Sequence, residues 1–437
     1  MRKFFVPFIL SFALLSCSEV ERPEYPQIFP DCVGVTVPED IAPLKFRMQD
    51  GRRCRVRITR EDDTLWYEVI AASGFKSERY RPFPVYVSHD AIDPYIAYRL
   101  IEPAYESWNE ISLNYRDLRS YDEKLIASNK VNNQGCLNCH TFDSGNPDRF
   151  MFHARGAGGG TIFVDHDNVK LLNLATVGPR KQGTYTAWHP SGRWICFSSN
   201  STHQSFTVSA VQPVEVYDTS SDIILYDTQT DSVYVAPQMS GNSVLETFPA
   251  WSPDGRTLYY CAADNVDNIA QNRGQVHYRL MSIGFDNGEF IGEPQTLFAD
   301  DSSSVSFPRV NGDKLLFTRS SFGTFPIWHS EADLWLYDLN TGELQPAEEL
   351  NSPETDSYHS WSSNGKWVVF SSRRLDGRYT RLFIAHYNGD GHFTKPFLLP
   401  QKNPDQNIYR TKSYNIPEFV KGPVTDRQDV YSSFFKK

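Results

Sequence analysis

The stretch that decides the fold is Ala250-Trp251-Ser252-Pro253-Asp254-Gly255-Arg256-Thr257-Leu258-Tyr259-Tyr260. Related stretches occupy residues 187–199, 307–317 and 360–372, and the copy at 307–317 keeps the glycine but lacks the tryptophan. Proline presets a negative φ and glycine accepts a positive φ, so each copy predicts a tight turn followed by an apolar strand. The shared glycines recur at intervals of about 53 to 63 residues, a spacing typical of a β-propeller or a solenoid.

The stretches that follow the repeats favour a propeller. Residues 225–231 and 336–342 carry a second turn signal, as the outer hairpin of a four-stranded blade requires. A blade cannot bury both of its faces alone, so blades pack around an axis and close into a ring. The Trp-Ser-Pro-Asp-Gly stretch and its relatives resemble the repeat of TolB-type β-propellers over residues of about 160 to 400. This resemblance implies the fold and says little about activity.

We therefore expect a mainly β protein with a propeller of about five to six blades in residues 156–437. Four copies are visible. Residues 161–174 and the stretch after residue 383 could supply the missing strands, with one strand from each end of the chain completing a shared blade.

The region before the propeller divides into four parts. Residues 1–17 read as a signal peptide, 18–30 as a Pro- and Glu-rich tether, and 31–103 as a small β domain. In that domain Val56 and Ile58 alternate with arginines, which predicts a strand with one buried face. Residues 104–155 read as a helical and loop segment, because Trp108, Ile111, Tyr115 and Leu118 recur at helical spacing.

The amino-terminal residues indicate export. Arg2 and Lys3 precede an apolar run over residues 4–15 that is too short to span a bilayer. Residues 14–17, Leu-Leu-Ser-Cys, resemble a bacterial lipobox, which implies that Cys17 is acylated and is the membrane anchor. By the same resemblance, Ser18 favours the outer membrane, with the protein facing the periplasm or the cell surface. An ordinary cleaved signal peptide is the alternative.

The main chemical motif is Cys136-Leu137-Asn138-Cys139-His140. In an exported chain, CxxCH is the attachment signature of a c-type haem, in which two thiols form thioethers and the histidine ligates the iron. A local disulfide, a thioredoxin-like pair and half of a zinc site are the alternatives. The other cysteines are scattered singly, and the flanking residues read as loops.

Further candidates surround a haem at this motif. His153 is predicted as the distal iron ligand, with Met151 as the alternative or as a core residue, and Arg155 could pair with a haem propionate. We expect the haem to lie in a pocket between the small β domain and the propeller. Cys32 and Cys54 could form a disulfide in an oxidising compartment, although two separate buried thiols are equally compatible with the spacing.

Two classes of function follow from these patterns. The first is an outer-membrane haem c protein that transfers single electrons, with the propeller as a docking surface for a redox partner. This arrangement resembles a group of exported TolB-like lipoproteins with one haem motif before the propeller. The second is a non-redox interaction protein. A carbohydrate-active propeller enzyme is a further alternative, with His329, Asp333, Asp356 and His359 as candidates. A net charge of −10 argues against nucleic acid as a partner.

Overall fold

A computed structural model describes residues 19–74, 76–103, 109–156, 158–172, 174, 183–208, 212–241 and 243–436. The predicted signal peptide, with Cys17, and Trp108 lie outside these residues. The chain forms two compact units. One comprises the described residues up to Gly34 together with Phe46–Tyr86, and the other comprises Val35–Lys45 and the rest of the chain from Val87. Within the described ranges, no helix has the length and apolar character needed to cross a membrane.

The first unit is built on a twisted sheet in which β1, β7, β6 and β8 lie side by side, and β5 pairs with β6. Strand β1 is parallel to β7, and the remaining pairs are antiparallel. Along β6, Tyr67, Val69 and Ala71 alternate with more exposed residues and face the core of this unit, where Tyr67 stacks on Phe83. The strand bounds are β1 Glu19–Arg22, β2 Ile28–Phe29, β4 Arg47–Met48, β5 Cys54–Glu61, β6 Thr64–Ser73, β7 Lys76–Tyr80 and β8 Phe83–Ser88.

Two expectations for this unit differ from the structure. Val56 and Ile58 are 41% and 51% exposed, so β5 has no buried face. The strand pairs only with β6 and extends along the edge of the sheet, where nothing in this unit covers it. Cys54 begins this strand as a free, partly exposed thiol, whereas Cys32 is buried after β2. The predicted Cys32–Cys54 disulfide is therefore not formed.

The second unit contains six four-stranded antiparallel sheets, the blades of a β-propeller. Blade 1 has the strand order β32, β9, β10, β11, and blades 2 to 6 each use four consecutive strands. The bounds are β3 Thr36–Pro38, β9 Tyr95–Ile101, β10 Ser112–Asp117, β11 Glu123–Ser128, β12 Leu137–Phe142, β13 Arg149–Ala154, β14 Gly160–Asp165, β15 Asn168–Leu172, β16 Thr184–Trp188, β17 Trp194–Phe206, β18 Val214–Asp227, β19 Ser232–Val235, β20 Val244–Trp251, β21 Thr257–Asp264, β22 Arg279–Asp286, β23 Glu289–Phe298, β24 Ser304–Asn311, β25 Lys314–Ser320, β26 Asp333–Asp338, β27 Leu344–Pro346, β28 Asp356–Trp361, β29 Trp367–Ser372, β30 Arg381–His386, β31 Phe397–Leu398 and β32 Ser413–Val420.

Short helical turns connect some of these strands. The α-helical turns are Ile269–Asn272, Gln406–Tyr409 and Gln428–Ser433, and the 3₁₀ turns are Asn129–Asn132, Asp143–Gly145, Pro237–Met239, Arg273–Gln275 and Pro326–Trp328.

The ring closes through a blade shared between distant parts of the chain. The first strands of the blades contact one another in a circle, from β12 through β16, β20, β24 and β28 to β32 and back to β12. Strand β32 pairs with β9, which confirms that one blade combines an early and a late segment. The strands that do so are Ser413–Val420 and the three strands between Tyr95 and Ser128, whereas residues 160–172 belong to blade 2.

A structural repeat runs around the inner wall of the ring. Each innermost strand carries a β-bulge, and at the bulge one residue has a positive φ between 45° and 53°. These ring residues, in blade order from blade 1, are Ile416, Cys139, Tyr185, Phe248, Phe307 and Tyr358. A bulge re-aims the side chains beside it. The ring residues therefore form an equivalent set, of which Cys139 is the member with a thiol.

The repeated turns join neighbouring blades. The indole nitrogen of Trp251 donates to the Ala187 carbonyl at 3.3 Å, and that of Trp361 donates to the Arg309 carbonyl at 3.2 Å. The turn glycine Gly255 has a φ of +71°, and a Cβ there would lie 2.3 Å from the His189 ring. The repeated Trp and Gly thus serve the packing of one blade on the next.

Within residues 109–155, which the structure describes, the predicted amphipathic helix is absent. These residues supply β10, β11, β12 and β13. Leu113 and Tyr115 are buried in β10, which is paired on both sides, by β9 and by β11. Pairing with two neighbouring strands overrides a weak helical spacing. The propeller therefore begins at β9 rather than at residue 156, and the CxxCH motif lies inside it.

Candidate functional site

The CxxCH motif lies at the inner wall of the propeller. Cys136 immediately precedes β12, and Leu137, Asn138, Cys139 and His140 belong to this strand, the innermost of blade 2. The backbone nitrogen of Arg155 donates to the Cys136 carbonyl at 2.9 Å, which continues the pairing of β12 with β13 beyond the motif. The motif thus has strand geometry, and no helix follows it, which separates it from a thioredoxin-like redox pair.

Cys136 and Cys139 face a large cavity in the centre of the ring. It holds about 130 Å³ of space for water-sized molecules, within a mouth of about 970 Å³ that includes open solvent. Its walls come from blades 1, 2, 3, 5 and 6, and the lining residues are Arg99, Ile101, Glu102, Pro103, Cys136, Asn138, Cys139, Arg155, Tyr185, Thr202, Gln204, Phe206, Val214, Val216, Phe325, Ile327, Trp328, Tyr358, Arg373, Ser413, Asn415 and Ile416.

A second, small cavity of about 360 Å³ lies beside the large cavity. Its lining residues are Cys139, His140, Thr141, Tyr185, Thr186, Phe248, Pro249, Phe307, Arg309, Ile416 and Glu418. Cys139, Tyr185 and Ile416 line both cavities, so these ring residues separate them. His140 lines only the small cavity, whereas Cys136 lines only the large one. The motif therefore spans the junction of the two spaces.

His140 is a buried histidine whose ring nitrogens lack a well-formed hydrogen bond. Its residue is 4% exposed, and neither ring nitrogen has a partner at good hydrogen-bond geometry among the described residues. Burial lowers its pKa to about 3, the positive charge of Arg99 lowers it further, and contacts with the Ala97 and Ile416 backbone oppose this shift. The imidazole is therefore neutral at physiological pH, the form in which histidine binds a metal. A buried polar group without a partner costs free energy and calls for an explanation.

The two thiols of the motif are free and buried. Burial raises the pKa of the Cys139 thiol, and a backbone contact from Tyr185 together with the charges of Arg155 and Arg99 opposes this effect. The local disulfide considered from the sequence is therefore not formed. No group of three or more His, Cys, Asp or Glu side chains suited to a metal ion occurs in the part of the chain that the structure describes.

The floor of the small cavity contains a buried carboxyl group. Glu418 accepts hydrogen bonds from the Thr141 hydroxyl and the Phe142 backbone nitrogen, both at 3.0 Å. Burial nevertheless raises its pKa to about 7. Arg309, which lines the same cavity, is half-buried, and desolvation lowers its pKa. A carboxyl group and a guanidinium group thus lie in the same small cavity as His140.

Three arginines line the large cavity, and they come from the consecutive blades 6, 1 and 2. Arg155 is the predicted one, and Arg99 and Arg373 are additional. The Nε atoms of Arg99 and Arg155 are buried without a hydrogen-bond partner in the described residues. Arg373 is held above Trp328, with its Cζ atom 3.3 Å from the ring centroid. Sequence reasoning missed Arg99 and Arg373 because each is an isolated arginine without a motif.

The structure does not bring His153 and Met151 to the cavities. His153 lies on β13, opposite Asn138, and its Nδ1 lies 3.3 Å from the Thr161 hydroxyl. Met151 is fully buried in a cluster with Phe163 and Phe197. Neither residue lines the large or the small cavity. The geometry therefore gives the predicted distal ligand no support.

The residues considered for carbohydrate chemistry are also separate from the large cavity. His329 lies between Glu215 and Glu331, with N–O distances of 3.0 and 3.1 Å. Asp356 pairs with Arg374, and the Nε2 atom of His359 donates to the Leu316 carbonyl at 2.8 Å. Asp333 lies near Asp356 and Glu331, and burial together with these two carboxylates raises its pKa to about 6. His329, Asp333 and Asp356 are therefore neighbours, whereas His359 is bonded elsewhere, and none of the four lines the large cavity.

Comparisons with known proteins concern the architecture. No family model and no curated protein matches this chain. TolB from Acinetobacter baumannii is a similar solved structure, with 15% identity, a TM-score of 0.42, and coverage of 80% of this chain and 82% of that chain. An oligogalacturonate lyase from Vibrio parahaemolyticus has 9% identity, a TM-score of 0.40 and coverage of 80% and 85%. Prolyl oligopeptidase B from Galerina marginata has 8% identity and a TM-score of 0.38, and this chain spans about half (52%) of it. These likenesses concern the fold alone, and the sheet topology establishes independently that the fold is a six-bladed β-propeller.

Proposed function

We propose that the protein is a c-type haem protein that transfers single electrons. In this proposal Cys136 and Cys139 carry the haem, His140 ligates the iron, and the propeller is the scaffold on which a redox partner protein docks. The observation that carries the proposal is the buried His140 ring, whose two nitrogens lack a well-formed hydrogen bond, next to a free thiol that borders a cavity. Anchoring to the outer membrane through a lipid on Cys17 is part of the same proposal.

The donor set, two thiols followed by an imidazole, is the one that holds a covalently attached haem; the thiols line the large cavity, whereas His140 lines the small one. Each thiol would add across one vinyl group, breaking the S–H bond and the vinyl π bond and forming one C–S and one C–H bond, so that the attachment involves no net oxidation. Both thiols are unbonded and share the wall of the large cavity. Arg155 lines that wall and carries an unpartnered donor, as a partner for a propionate carboxylate requires.

The protein groups around the motif would determine how a haem behaves. A bound haem supplies a reversible one-electron couple whose potential depends on its axial ligands and burial. The enclosed small cavity keeps the imidazole of His140 dry and neutral. Apolar walls formed by Phe248 and Phe307 on that side limit access of water to the ring. These residues favour a stable metal ligand over a proton-transfer group.

Covalent haem is tested by maturing the full chain with haem-attachment machinery in an exporting host. We expect Soret and α absorption bands that persist in the polypeptide after acid–acetone extraction. The double variant Cys136→Ser/Cys139→Ser should lose these bands. Cys196→Ser/Cys261→Ser is the matched control, because it removes two thiols that are buried singly in the blades. If the correctly matured wild-type chain retains no haem after extraction, the proposal is refuted and a non-redox interaction protein is favoured.

The iron ligand is tested by a second matched pair. His140 and His359 follow the ring residue in blades 2 and 6, respectively. His140→Ala should change the ligand-dependent absorption bands of the haem-loaded protein, whereas His359→Ala should leave them unchanged. An unchanged spectrum in His140→Ala would show that another residue ligates the iron.

A further inference from the structure

The large cavity combines positive charge with an apolar wall. Arg99, Arg155 and Arg373 contribute three guanidinium groups to its lining. Glu102 is the one carboxylate among the lining residues that the structure describes. Glu102 already accepts a hydrogen bond from the Glu110 backbone nitrogen at 3.4 Å and lies 3.8 Å from the ammonium group of Lys412. The three arginines therefore have no equivalent negative charge within the cavity.

A buried arginine elsewhere in the same propeller shows what a purely structural role looks like. Arg381 is 1% exposed, and its Nε, Nη1 and Nη2 atoms all donate to backbone carbonyls, such as those of Asn407 and Arg410. In Arg99 and Arg155, by contrast, the Nε atom is buried without a partner in the described residues, although the Nη1 atom of Arg99 donates to the Leu137 carbonyl at 3.5 Å. Buried guanidinium donors are expensive to leave unpaired, so a ligand with acceptor atoms would stabilise them.

Arg373 is also positioned to bind the acceptor atoms of a ligand. Its Nε atom donates to the Ile327 carbonyl and its Nη1 atom to the Arg378 carbonyl. Its guanidinium group lies over the Trp328 ring. These contacts fix the guanidinium group in one orientation at the cavity wall. A fixed fork loses little further entropy when it binds a carboxylate.

The other walls of the large cavity indicate the kind of molecule that carries the negative charge. Phe206, Val214, Val216, Phe325 and Ile327 present apolar surface to the same space. An inorganic anion would leave this surface exposed to water, whereas an organic body would cover it. The cavity therefore suits a molecule with both an apolar body and acidic groups.

We propose that the large cavity binds an organic anion that carries at least two carboxylates, held by Arg99, Arg155 and Arg373. The site is independent of covalent attachment, because it uses neither thiol nor imidazole. A haem, with two propionates on an apolar macrocycle, belongs to this chemical class, as does a free polycarboxylate. In both cases carboxylates bind the arginines, and the experiment distinguishes haem propionates from a free polycarboxylate.

The test uses calorimetric titration with benzene-1,3,5-tricarboxylate, its neutral triamide and inorganic phosphate. The haem-free Cys136→Ser/Cys139→Ser chain should bind the tricarboxylate and neither of the other two. Arg155→Gln and Arg99→Gln should each weaken binding about tenfold or more, since each removes a charged hydrogen-bond donor. Arg279→Gln is the matched control, because Arg279 forms an exposed pair with Asp264 and does not line the cavity.

Each outcome of this titration has a defined meaning. Binding by the haem-free chain that disappears in the haem-loaded chain supports the site and assigns it to the propionates. Binding by both forms supports the site and assigns it to a free polycarboxylate. No binding by the haem-free chain, equal binding in the arginine variants, or equally tight binding of phosphate overturns the proposal. Thermal unfolding of each variant verifies that it is folded. The haem proposal is tested separately, by the absorbance of the matured chain after acid–acetone extraction.

Discussion

His140 and His359 occupy the same place in two blades of one propeller, yet they have opposite hydrogen-bond environments. Both follow the positive-φ ring residue of an innermost strand, and both are almost completely buried. Burial lowers the pKa of each to about 3. His359 donates from Nε2 to the Leu316 carbonyl of blade 5, whereas neither nitrogen of His140 has a well-formed hydrogen bond in the described residues. Equivalent positions therefore have different hydrogen-bond environments, and the availability of His140 to a ligand is part of the proposal.

The ring residues before these histidines extend the comparison. Phe248 of blade 4 packs on Phe307 and Tyr185, with ring centroids 4.1 and 4.4 Å apart. Cys139 of blade 2 occupies the corresponding position with a much smaller side chain, beside both cavities. A blade that gives up aromatic packing at this position gains space for a ligand.

The largest expected effect comes from removing one of the aromatic ring residues. Phe248→Ala should destabilise the protein by about 3–5 kcal/mol, because it removes a buried aromatic side chain and leaves a cavity. Cys139→Ala in the haem-free protein should cost about 1 kcal/mol, since little packing is lost. Urea unfolding of both variants measures the difference. Equal losses would show that blade 2 depends on its ring residue as much as blade 4 does.

The next prediction concerns His329, a buried histidine whose pKa is shifted in the opposite direction. Burial alone would lower its pKa, but Glu215 and Glu331 outweigh burial and raise the pKa to about 9. Because the folded-state pKa exceeds the unfolded value of about 6.5, this stabilisation is complete below pH 6.5 and is lost as the pH rises through 9. Relative to His329→Gln, the wild type should lose on the order of 3 kcal/mol between pH 6 and pH 9.5. Unfolding curves at the two pH values test this, and parallel pH profiles would contradict it.

A smaller effect separates His140 from His359 directly. In the haem-free protein, His359→Ala should be about 1–3 kcal/mol more destabilising than His140→Ala, because it leaves the buried Leu316 carbonyl unpaired. Both variants remove the same side-chain atoms, but His140 already lines the small cavity and His359 does not, so loss of packing adds to the loss of the hydrogen bond in His359→Ala. Denaturant unfolding at pH 7 gives the two values. If the losses are equal, the hydrogen bond of His359 has no net effect on stability.

The smallest effect tests the packing between blades. Trp251→Phe keeps most of the aromatic surface but removes the indole donor to the Ala187 carbonyl. We expect a loss of about 1 kcal/mol, the net value of one such hydrogen bond. Trp361→Phe, which removes the matching bond to Arg309, should give a similar value by thermal unfolding. A much larger loss at only one position would show that the blades are not equivalent.

The sequence already indicated much of the fold. The Trp-Ser-Pro-Asp-Gly turns predicted the propeller, because proline and glycine act locally and the apolar strand after them needs a neighbouring blade. The amphipathic helix expected near Tyr115 was wrong. The helix was inferred from the spacing of apolar residues within one short segment. The strand Ser112–Asp117 is instead fixed by pairing with two other strands. Pairing partners that are distant in sequence cannot be read from local spacing.

By itself, the sequence singled out the candidate side chains: residue type and spacing pointed to Cys136, Cys139, His140 and Arg155, whose role stays a prediction. Tertiary structure alone decided their surroundings. It placed the motif on the innermost strand of a blade, left the His140 nitrogens without a well-formed hydrogen bond and brought Arg99 and Arg373 to the cavity that the thiols face. The physical reason is ring closure. The strand Ser413–Val420 pairs with Tyr95–Ile101. This long-range contact closes the ring around the two cavities that these groups line.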